Sequence, residues 1–426
     1  MKRLLALILV LVMALSLCAC GAKGGADTKP EPETNTDTTP SQDTEPKTDP
    51  APADDKAEEG EKEEEGEKEP EGEPAAAGTI GYWTDDVDHK ARDPYNFTML
   101  SYAMATQWTY MLELSKMFQE SLNFVHSDAS PNGDGDKLMT MLEEVASEKD
   151  LDGMILDITT FYQARSMEIL EEYDVNYVGV LDAFWGETDD PANRVCVAPS
   201  CVCDPYESGV AIIDWMSQNY QTYWGDIDTS KLGYIGATYS SSFDMNNRAV
   251  GGWDKFAELY PDNADNMFYA DAVVGNMNAD TFYQEVSAVL TGNPQVEYWF
   301  IVAASGDAGG TGTVRAIEGT GKENCCLMGS GVPTTATIEW EAGHKGAWVC
   351  SVDCSYPEMM ATAYCGLIAM ADGRATMDTL WQEARAAKDD CTCLKIAPKI
   401  ITYDGYQQSR NAEYAEYGLP APYPGA

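Results

Sequence analysis

Residues 153–181, GMILDITTFYQARSMEILEEYDVNYVGVL, hold the pattern that decides the fold. Residues 153–156 form a short apolar run typical of a buried strand, and residues 177–181 form a second one. Between them, residues 162–173 have the apolar spacing of a helix. A strand, a helix and a strand in this order predict two parallel strands joined by a crossover helix.

The same alternation extends in both directions along the chain. Residues 79–83 and 123–125 are predicted as strands, with a helix over 97–122 between them. After a break rich in Gly, Asp and Thr, the pattern restarts with a strand at 231–236 and closes with a strand at 400–402. This folded part is larger than one hydrophobic core usually holds. The sequence therefore predicts an α/β protein with two doubly wound lobes and a ligand cleft between them, beyond the carboxyl ends of the strands.

The first 20 residues have the features of a secretory signal peptide. Met1-Lys2-Arg3 supplies positive charge, and residues 4–15 form an apolar run too short for a permanent membrane span. Leu17-Cys18-Ala19-Cys20 resembles the bacterial lipobox. That resemblance implies a lipid on Cys20 that anchors the protein to the outer face of the bacterial cytoplasmic membrane. The alternative is an ordinary cleaved signal peptide with two incidental cysteines.

Residues 21–77 are predicted to form a disordered acidic linker. The segment is built from Glu, Asp, Lys, Pro, Thr, Gly and Ala and has no large apolar side chain. Such a composition buries too little apolar surface to offset the entropy of ordering, so a spacer is the favoured role over an interaction tail. The whole chain carries a formal net charge of −44, which argues against a nucleic-acid partner because phosphate binding needs a basic face.

Neither a metal site nor an active site is predicted. Beyond Cys18 and Cys20, most cysteines lie in apolar runs, where they behave as buried hydrophobes, although an exported protein also permits disulfides. The C-x-C pairs at 201/203 and 391/393 have no nearby histidine, which argues against zinc. No nucleophile motif or phosphate-binding glycine loop is present. We therefore expect no cofactor and no enzyme, with the paired carboxylates of a glycoside hydrolase as the open alternative.

Four motifs together resemble the type I periplasmic binding proteins of the ribose and galactose class. Residues 204–209, DPYESG, match the family's crossing into the second lobe, and 247–253, NRAVGGW, resemble its R-x-x-G-aromatic helix start. Residues 305–321 resemble its glycine-rich N-D-x-x-A helix, and 353–360 resemble the late helix that returns to the first lobe. The resemblance covers about residues 79–405 and implies the sugar-binding component of an ABC importer.

The resemblance and the restart of the pattern together predict the lobe boundaries. The first lobe is expected in residues 78–203 and 332–396, and the second in 204–331 and 397–410. Residues 411–426 are expected as a C-terminal tail outside both sheets. The implied partners are a small-molecule ligand, an ABC transporter permease and the membrane through the lipid anchor, and the protein is expected to be a monomer.

The resemblance also implies the ligand-binding residues. They are the first ligand loop, the polar ends of the third and fourth strands with a stacking aromatic, the sugar-clamping arginine, the position after the next strand and a hinge-side aspartate. Along this chain these positions are Asp93, Tyr95, Asp157, Asp182, Trp185, Arg248, Asn276 and Asp307. Because the first loop is longer than usual, Tyr82, Trp83 and Asp85 are alternatives. Carboxylates that accept hydroxyl protons, a guanidinium that donates them and an aromatic face suit a sugar.

Several of these residues have a plainer alternative role. Asp157, Asp182 and Asp307 are each placed to cap a following helix. Arg248 has Asp244 and Glu258 near it in sequence as possible ion-pair partners. Where the family has G-F-D, this chain has Gly329-Ser330-Gly331, so one expected carboxylate is missing. That departure leaves a non-sugar ligand, such as an amino acid, a nucleoside or a signal molecule for a membrane sensor, as the second hypothesis.

Overall fold

The computed structural model describes residues 92–102, 106–185, 196–275, 277–344, 346–381 and 393–426. The predicted signal peptide with Cys20, the acidic linker and the strand at 79–83 lie outside these ranges. None of the helices in the described ranges combines the length and the apolar character that a bilayer crossing requires.

The first lobe begins with a series of alternating strands and helices. In chain order these are β1 (Tyr95–Ser101), α1 (Thr106–Leu122), β2 (Phe124–Ala129), α2 (Gly135–Ala146), β3 (Gly153–Asp157), α3 (Thr160–Glu172), β4 (Tyr177–Val180) and β5 (Ser200–Cys203). Residues 153–181 are confirmed as a β-α-β unit, because β3 and β4 are parallel neighbours in the sheet.

The second lobe repeats the alternation. Its elements are α4 (Pro205–Trp224), β6 (Leu232–Thr238), α5 (Phe243–Leu259), β7 (Met267–Asp271), α6 (Ala279–Gly292), β8 (Tyr298–Ala303), α7 (Thr311–Gly319), β9 (Cys326–Ser330), α8 (Thr334–Glu341) and β10 (Trp348–Asp353). The chain then continues through α9 (Tyr356–Ala371), β11 (Leu394–Ile396), β12 (Lys399–Thr402) and α10 (Tyr406–Glu416).

Two six-stranded sheets result, with the orders β11-β5-β4-β3-β1-β2 and β12-β10-β9-β8-β6-β7. Every neighbouring pair in the first sheet is parallel, and in the second only β12 is antiparallel to its neighbour β10. The predicted fold class, two doubly wound α/β lobes, is confirmed.

Strand β1 corrects the prediction at the start of the folded part. The sequence predicts a helix from residue 97, and the resemblance implies a ligand loop at 93–97, whereas β1 lies between β2 and β3 in the sheet. Tyr95, Phe97 and Met99 are fully buried. These three residues alternate with polar Asn96 and Thr98, which is the period of a strand, but the alternation is short and was included in the helix predicted from residue 97.

Strand β10 moves the expected lobe boundary. Residues 332–396 are expected in the first lobe, but β10 pairs in parallel with β9 in the second sheet. Helix α9, which follows it, packs on α1 and on strands of the first sheet. The chain therefore crosses back at Cys354 and Ser355, and not at residue 332.

Residues 411–426 add no strand to either sheet, yet they do not form a detached tail. Helix α10 buries Arg410, Glu413 and Tyr414, and Leu419 beyond it is buried too. The Tyr414 hydroxyl donates a hydrogen bond to the Tyr110 hydroxyl on α1. The C-terminal segment is thus part of the packed structure.

The free thiols include Cys201, Cys203, Cys325, Cys326, Cys350, Cys354 and Cys365, and all of these except Cys325 are buried. Burial raises the pKa of the Cys350 and Cys365 thiols well above the ordinary value, which keeps both side chains neutral. Their positions in β10 and α9 fit the role of small apolar residues in the core.

Helices α4 and α5 approach so closely that glycine is required where they touch. A Cβ on Gly209 would lie 1.9 Å from the carbonyl oxygen of Arg248, and this contact is with backbone that no rotamer change can relieve. We expect Gly209→Ala to lower the free energy of unfolding by about 1–3 kcal/mol, measured by urea denaturation. The matched control is Gly292→Ala in α6, where a Cβ would meet nothing within 4 Å. Equal stability of the two variants would contradict the close contact.

Candidate functional site

The loops that follow the strands of the two sheets meet across a cleft. Trp185, in the loop after β4, packs its ring against Phe243 at the start of α5, with ring centroids 4.6 Å apart. Asp182, in the same loop, interacts electrostatically with Asp244 on α5. These contacts join the first lobe to the second at the carboxyl ends of the strands, which is where open α/β sheets bind ligands.

Asp157 is the last residue of β3 and lies on the first-lobe side of the cleft. Its Oδ2 accepts a hydrogen bond of 3.1 Å from the Ser101 hydroxyl at the end of β1. Burial and the charge of Asp182 raise the pKa of Asp157 to about 8. A carboxyl in this state can donate a proton to a ligand oxygen at neutral pH or accept one at higher pH.

A buried glutamine holds the loop that carries Asp182. The Gln163 side chain donates hydrogen bonds of 2.8 Å to the carbonyl oxygens of Ile158 and Ala183. Its Oε1 accepts a hydrogen bond of 3.0 Å from the backbone N–H of Trp185. The loops after β3 and β4 are therefore fixed to each other by one side chain, which presents Asp157, Asp182 and Trp185 together.

Asp244 faces these residues from the second lobe. It lies in the first turn of α5, which begins at the N-cap residue Ser242, whose hydroxyl accepts from the Met245 N–H. The Asp244 side chain is buried, and burial followed by the nearby charge of Asp182 raises its pKa well above the ordinary value. From the sequence, Asp244 is expected only as a possible ion-pair partner of Arg248. An acidic residue in the first turn of a helix is so common that it gave no signal of a ligand site.

Arg248, one turn further along α5, lies near this carboxyl group, because its charge acts on Asp244. Its Nη1 donates a hydrogen bond of 2.9 Å to the carbonyl oxygen of Ala304. Its Nε is buried and has no hydrogen-bond partner in the described protein. One N–H donor of the Arg248 guanidinium is thus bound to the protein, and its other donors are available to a ligand.

Gly331 explains the departure from the family's G-F-D pattern. A Cβ at this position would lie 2.4 Å from Cδ and 3.0 Å from Nε of Arg248. The Arg248 side chain therefore occupies the space where a side chain at 331 would stand. With Arg248 in this position, a carboxylate side chain at residue 331 has no room.

Asp307 follows β8 in a short helical turn, Gly306–Gly310. Its Oδ1 accepts a hydrogen bond from the Thr335 hydroxyl in α8, and its side chain is half-buried. The structure records no contact between Asp307 and Asp157, Asp182 or Arg248 among the described residues. Its role in ligand binding stays a prediction.

Asp93 and Tyr95 are displaced from the site. Both lie at the amino end of β1, whereas the cleft lies at the carboxyl ends of the strands. The Tyr95 hydroxyl donates a hydrogen bond of 2.8 Å to Asp372 Oδ1, and the Arg92 guanidinium stacks 3.8 Å from the ring centroid. These contacts fix the base of the first lobe, and the placement of the two residues follows from β1 being a strand.

The carboxyl end of β1 leads instead to Tyr102 and, after residues 103–105, to Gln107 in the first turn of α1. The Oε1 atom of Gln107 is buried without a hydrogen-bond partner in the described protein, which makes it a further candidate ligand contact. The predicted Asn276 lies outside the described residues, as do Tyr82, Trp83 and Asp85. Within the described ranges no three His, Cys, Asp or Glu side chains group in a way that could hold a metal ion.

The Asp157 carboxyl predicts a pH dependence of stability. The pKa of Asp157 is about 8 in the folded chain and 3.8 ordinarily. The protonated carboxyl's favourable contribution to the free energy of unfolding is therefore complete below the ordinary pKa and is lost as the pH rises toward 8. Between pH 5 and pH 8 we expect the wild-type unfolding free energy to fall by about 1–3 kcal/mol more than that of Asp157→Asn, in urea titrations. Exposed Asp226→Asn is the control and should keep the wild-type slope. An unchanged slope in Asp157→Asn would contradict the assignment.

No family model matches the sequence, and no curated protein matches it either. Solved structures do match. A periplasmic solute-binding protein from Actinobacillus succinogenes with bound D-allose has a TM-score of 0.55 at 13% identity, covering 73% of this chain and 98% of that one. An ABC transporter solute-binding protein from Bacillus halodurans with bound myo-inositol has a TM-score of 0.54 at 12% identity, covering 76% of this chain and 99% of that one.

An arabinose-binding protein from Geobacillus stearothermophilus gives a similar result, with a TM-score of 0.54 and 15% identity over 73% of this chain and 98% of that one. The folded part of this chain thus has the two-lobe fold of the periplasmic sugar-binding proteins. At these identities the likeness establishes the fold, and the ligand must be argued from the cleft.

Proposed function

We propose that this chain is an extracytoplasmic solute-binding lipoprotein, acting as a monomer, that captures a small polar ligand between its lobes and delivers it to an ABC transporter permease. A sugar is the first candidate. The observation that carries the proposal is the electrostatic interaction between Asp182, which lies beside Asp157 in one lobe, and Asp244, which lies beside Arg248 in the other. The shared fold supports it, since its solved examples include proteins with bound allose and myo-inositol.

The residue types in the cleft suit a hydroxylated ligand. The carboxyl groups accept hydroxyl protons, and the free donors of Arg248 serve ring or hydroxyl oxygens. The Trp185 ring supplies an apolar wall for the C–H face of a sugar. Charge-assisted hydrogen bonds of this kind each contribute about 1.5–3 kcal/mol, so a few of them, formed as the lobes close, suffice for selective capture.

A ligand panel tests the proposal. The full chain, purified after export, is denatured thermally with pentoses, hexoses, inositols, amino sugars, amino acids and nucleosides. A ligand at a hundred times its dissociation constant should stabilise the folded state by about 2.7 kcal/mol. Stabilisation by a sugar, with loss of the effect in Asp182→Asn, is the expected result. A panel in which only amino acids or nucleosides stabilise the protein would replace the sugar with the second hypothesis, and a panel without any stabilising compound would contradict the function.

The lipid anchor is a separate part of the proposal, supported by the lipobox-like Leu17-Cys18-Ala19-Cys20 and the acidic spacer behind it. Cys20→Ala should move the protein from the membrane fraction to the soluble fraction of a bacterial host, because a single peripheral domain has no other anchor in this proposal. Cys18→Ala is the matched control and should stay with the membrane. Membrane retention of Cys20→Ala would contradict a lipid anchor on Cys20.

A further inference from the structure

The cleft carries an excess of acidic groups. At the carboxyl ends of the two sheets, Asp182 interacts electrostatically with Asp157 and with Asp244. Arg248 is the cation that acts on Asp244, and its Nη1 is already bound to the carbonyl oxygen of Ala304. Three neighbouring carboxyl groups therefore have one partly committed guanidinium beside them, at Asp244.

The acidic groups come from both lobes, which matters for closure. Asp157 and Asp182 belong to loops of the first lobe, and Asp244 belongs to α5 of the second. When the lobes meet, as they do where Trp185 contacts Phe243, like charges are brought together in a site of low water content. Closure then requires either protons on these carboxyls or a positive charge between them.

A weakly paired buried group lies at the same place. Trp185 is 9% exposed, and its indole N–H interacts with the Asp244 carboxyl without forming a hydrogen bond of normal geometry. Buried polar groups are nearly always well paired in native structures, so an indole N–H held this weakly is available to a ligand oxygen. The indole ring beside it is also the best aromatic surface for a cation.

We infer that the cleft takes a ligand that carries both hydroxyl groups and an ammonium group, the chemistry of an amino sugar, with the ammonium held between Asp182 and Asp244. The inference rests on the proposed function and names its ligand class. The ammonium replaces the protons that the carboxyls otherwise hold, while Arg248 and the Trp185 N–H bind the oxygens of the ligand. The net charge of −44 also favours the approach of cations over anions.

Proton release follows from this arrangement. Burial and mutual repulsion raise the pKa of Asp157 and of Asp244. The groups recorded as acting on these two carboxyls are Asp182, Arg248, the Ser101 hydroxyl and the Trp185 N–H. An ammonium placed among them favours their charged forms, so binding releases protons. Affinity for the amine should rise as the pH increases from 5 toward 8.

The test uses matched sugar pairs that differ in one amine. Isothermal titration of the full chain at pH 7.5 compares D-glucosamine with D-glucose and D-galactosamine with D-galactose, in two buffers of different ionisation enthalpy. We expect an aminated member to bind at least about tenfold more tightly than its neutral counterpart, with proton release. In Asp244→Asn that preference should fall about tenfold, and Asp157→Asn provides a second variant should the first not fold. Exposed Asp226→Asn should keep the preference.

The outcomes separate the two proposals. Neutral sugars that bind as tightly as the aminated ones, or binding without proton release, would overturn the amine inference and leave the sugar-binding function standing. Absence of binding by all four sugars would count against the amine inference, and the wider ligand panel would then decide the function.

Discussion

Replacing Arg248 with alanine should weaken ligand binding by more than about tenfold while the protein remains folded. The guanidinium reaches the cleft with a free Nε and holds the Ala304 carbonyl oxygen at 2.9 Å. Its removal leaves ligand oxygens without their donor and neighbouring carboxyls without their cation. The cost of removing one partner of such a buried set is about 2–5 kcal/mol, and each 1.4 kcal/mol is about tenfold in affinity.

A second arginine of the same lobe provides the control. Arg315 in α7 pairs with Asp280 at 2.8 Å, but its side chain is 48% exposed and lies outside the cleft. Arg315→Ala should therefore bind the ligand as the wild type does. Titration calorimetry on both variants, with melting temperatures to verify folding, measures the difference. Normal affinity in Arg248→Ala would show that this residue is not part of the binding site.

The largest expected effect on stability belongs to Arg410 in the C-terminal helix. Its side chain is 3% exposed, with Nε 3.6 Å from Asp353 Oδ2 and the guanidinium 5.1 Å from the centroid of the Tyr110 ring. Glu413 lies in the same buried group and accepts a hydrogen bond from the Ser355 hydroxyl. Arg410→Ala would remove the cation beside the buried Asp353 carboxyl and leave Glu413 with the charge of Lys399 alone. Removing one partner of a buried pair costs about 3–5 kcal/mol.

The pH dependence of that loss distinguishes a charge effect from a packing effect. Burial and the charge of Asp353 raise the pKa of Glu413 to about 7 from the ordinary value of 4.5. Its contribution to stability is therefore present at low pH and is lost as the pH rises through 7. The deficit of Arg410→Ala should be larger at pH 8 than at pH 5, since protonation relieves the uncompensated charge.

Exposed Arg165 serves as the control for Arg410. It pairs with Glu168 at 2.8 Å on the surface of α3, with side chains more than half exposed, and such pairs contribute less than about 1 kcal/mol. Urea denaturation of Arg165→Ala should match the wild type within that limit. An Arg410→Ala protein that loses no more than Arg165→Ala, or the same amount at both pH values, would contradict the ionic role of the C-terminal helix.

The sequence predicted the two-lobe architecture because its central strands alternate with helices of regular length. The resemblance to the family implied Asp157 and Asp182, and both follow the carboxyl ends of parallel strands, where the ligand edge of such a sheet lies. Arg248 came from the resemblance of 247–253 to a family motif. These predictions depend on the local pattern of residues and on the order of strands and helices, and both can be read from a single sequence.

Other features depend on contacts between distant parts of the chain. Strand β1 was misassigned because its short alternation of apolar and polar residues adjoins the helix that follows and was counted as part of it. Asp244 was not recognised as a site residue because its neighbourhood with Asp182 exists only when two lobes meet. Likewise, the polar composition of residues 405–416 gave no sign that Arg410 and Glu413 are buried, since their partner Asp353 lies on another element.

The most direct test of the central claim is a crystal structure of the protein with a sugar or amino sugar selected by the ligand panel. The account predicts that the ligand lies between the lobes, with polar atoms within about 3 Å of Asp182 from one lobe and Arg248 from the other. A ligand bound on an outer surface, or held by one lobe without contact to either residue, would contradict it.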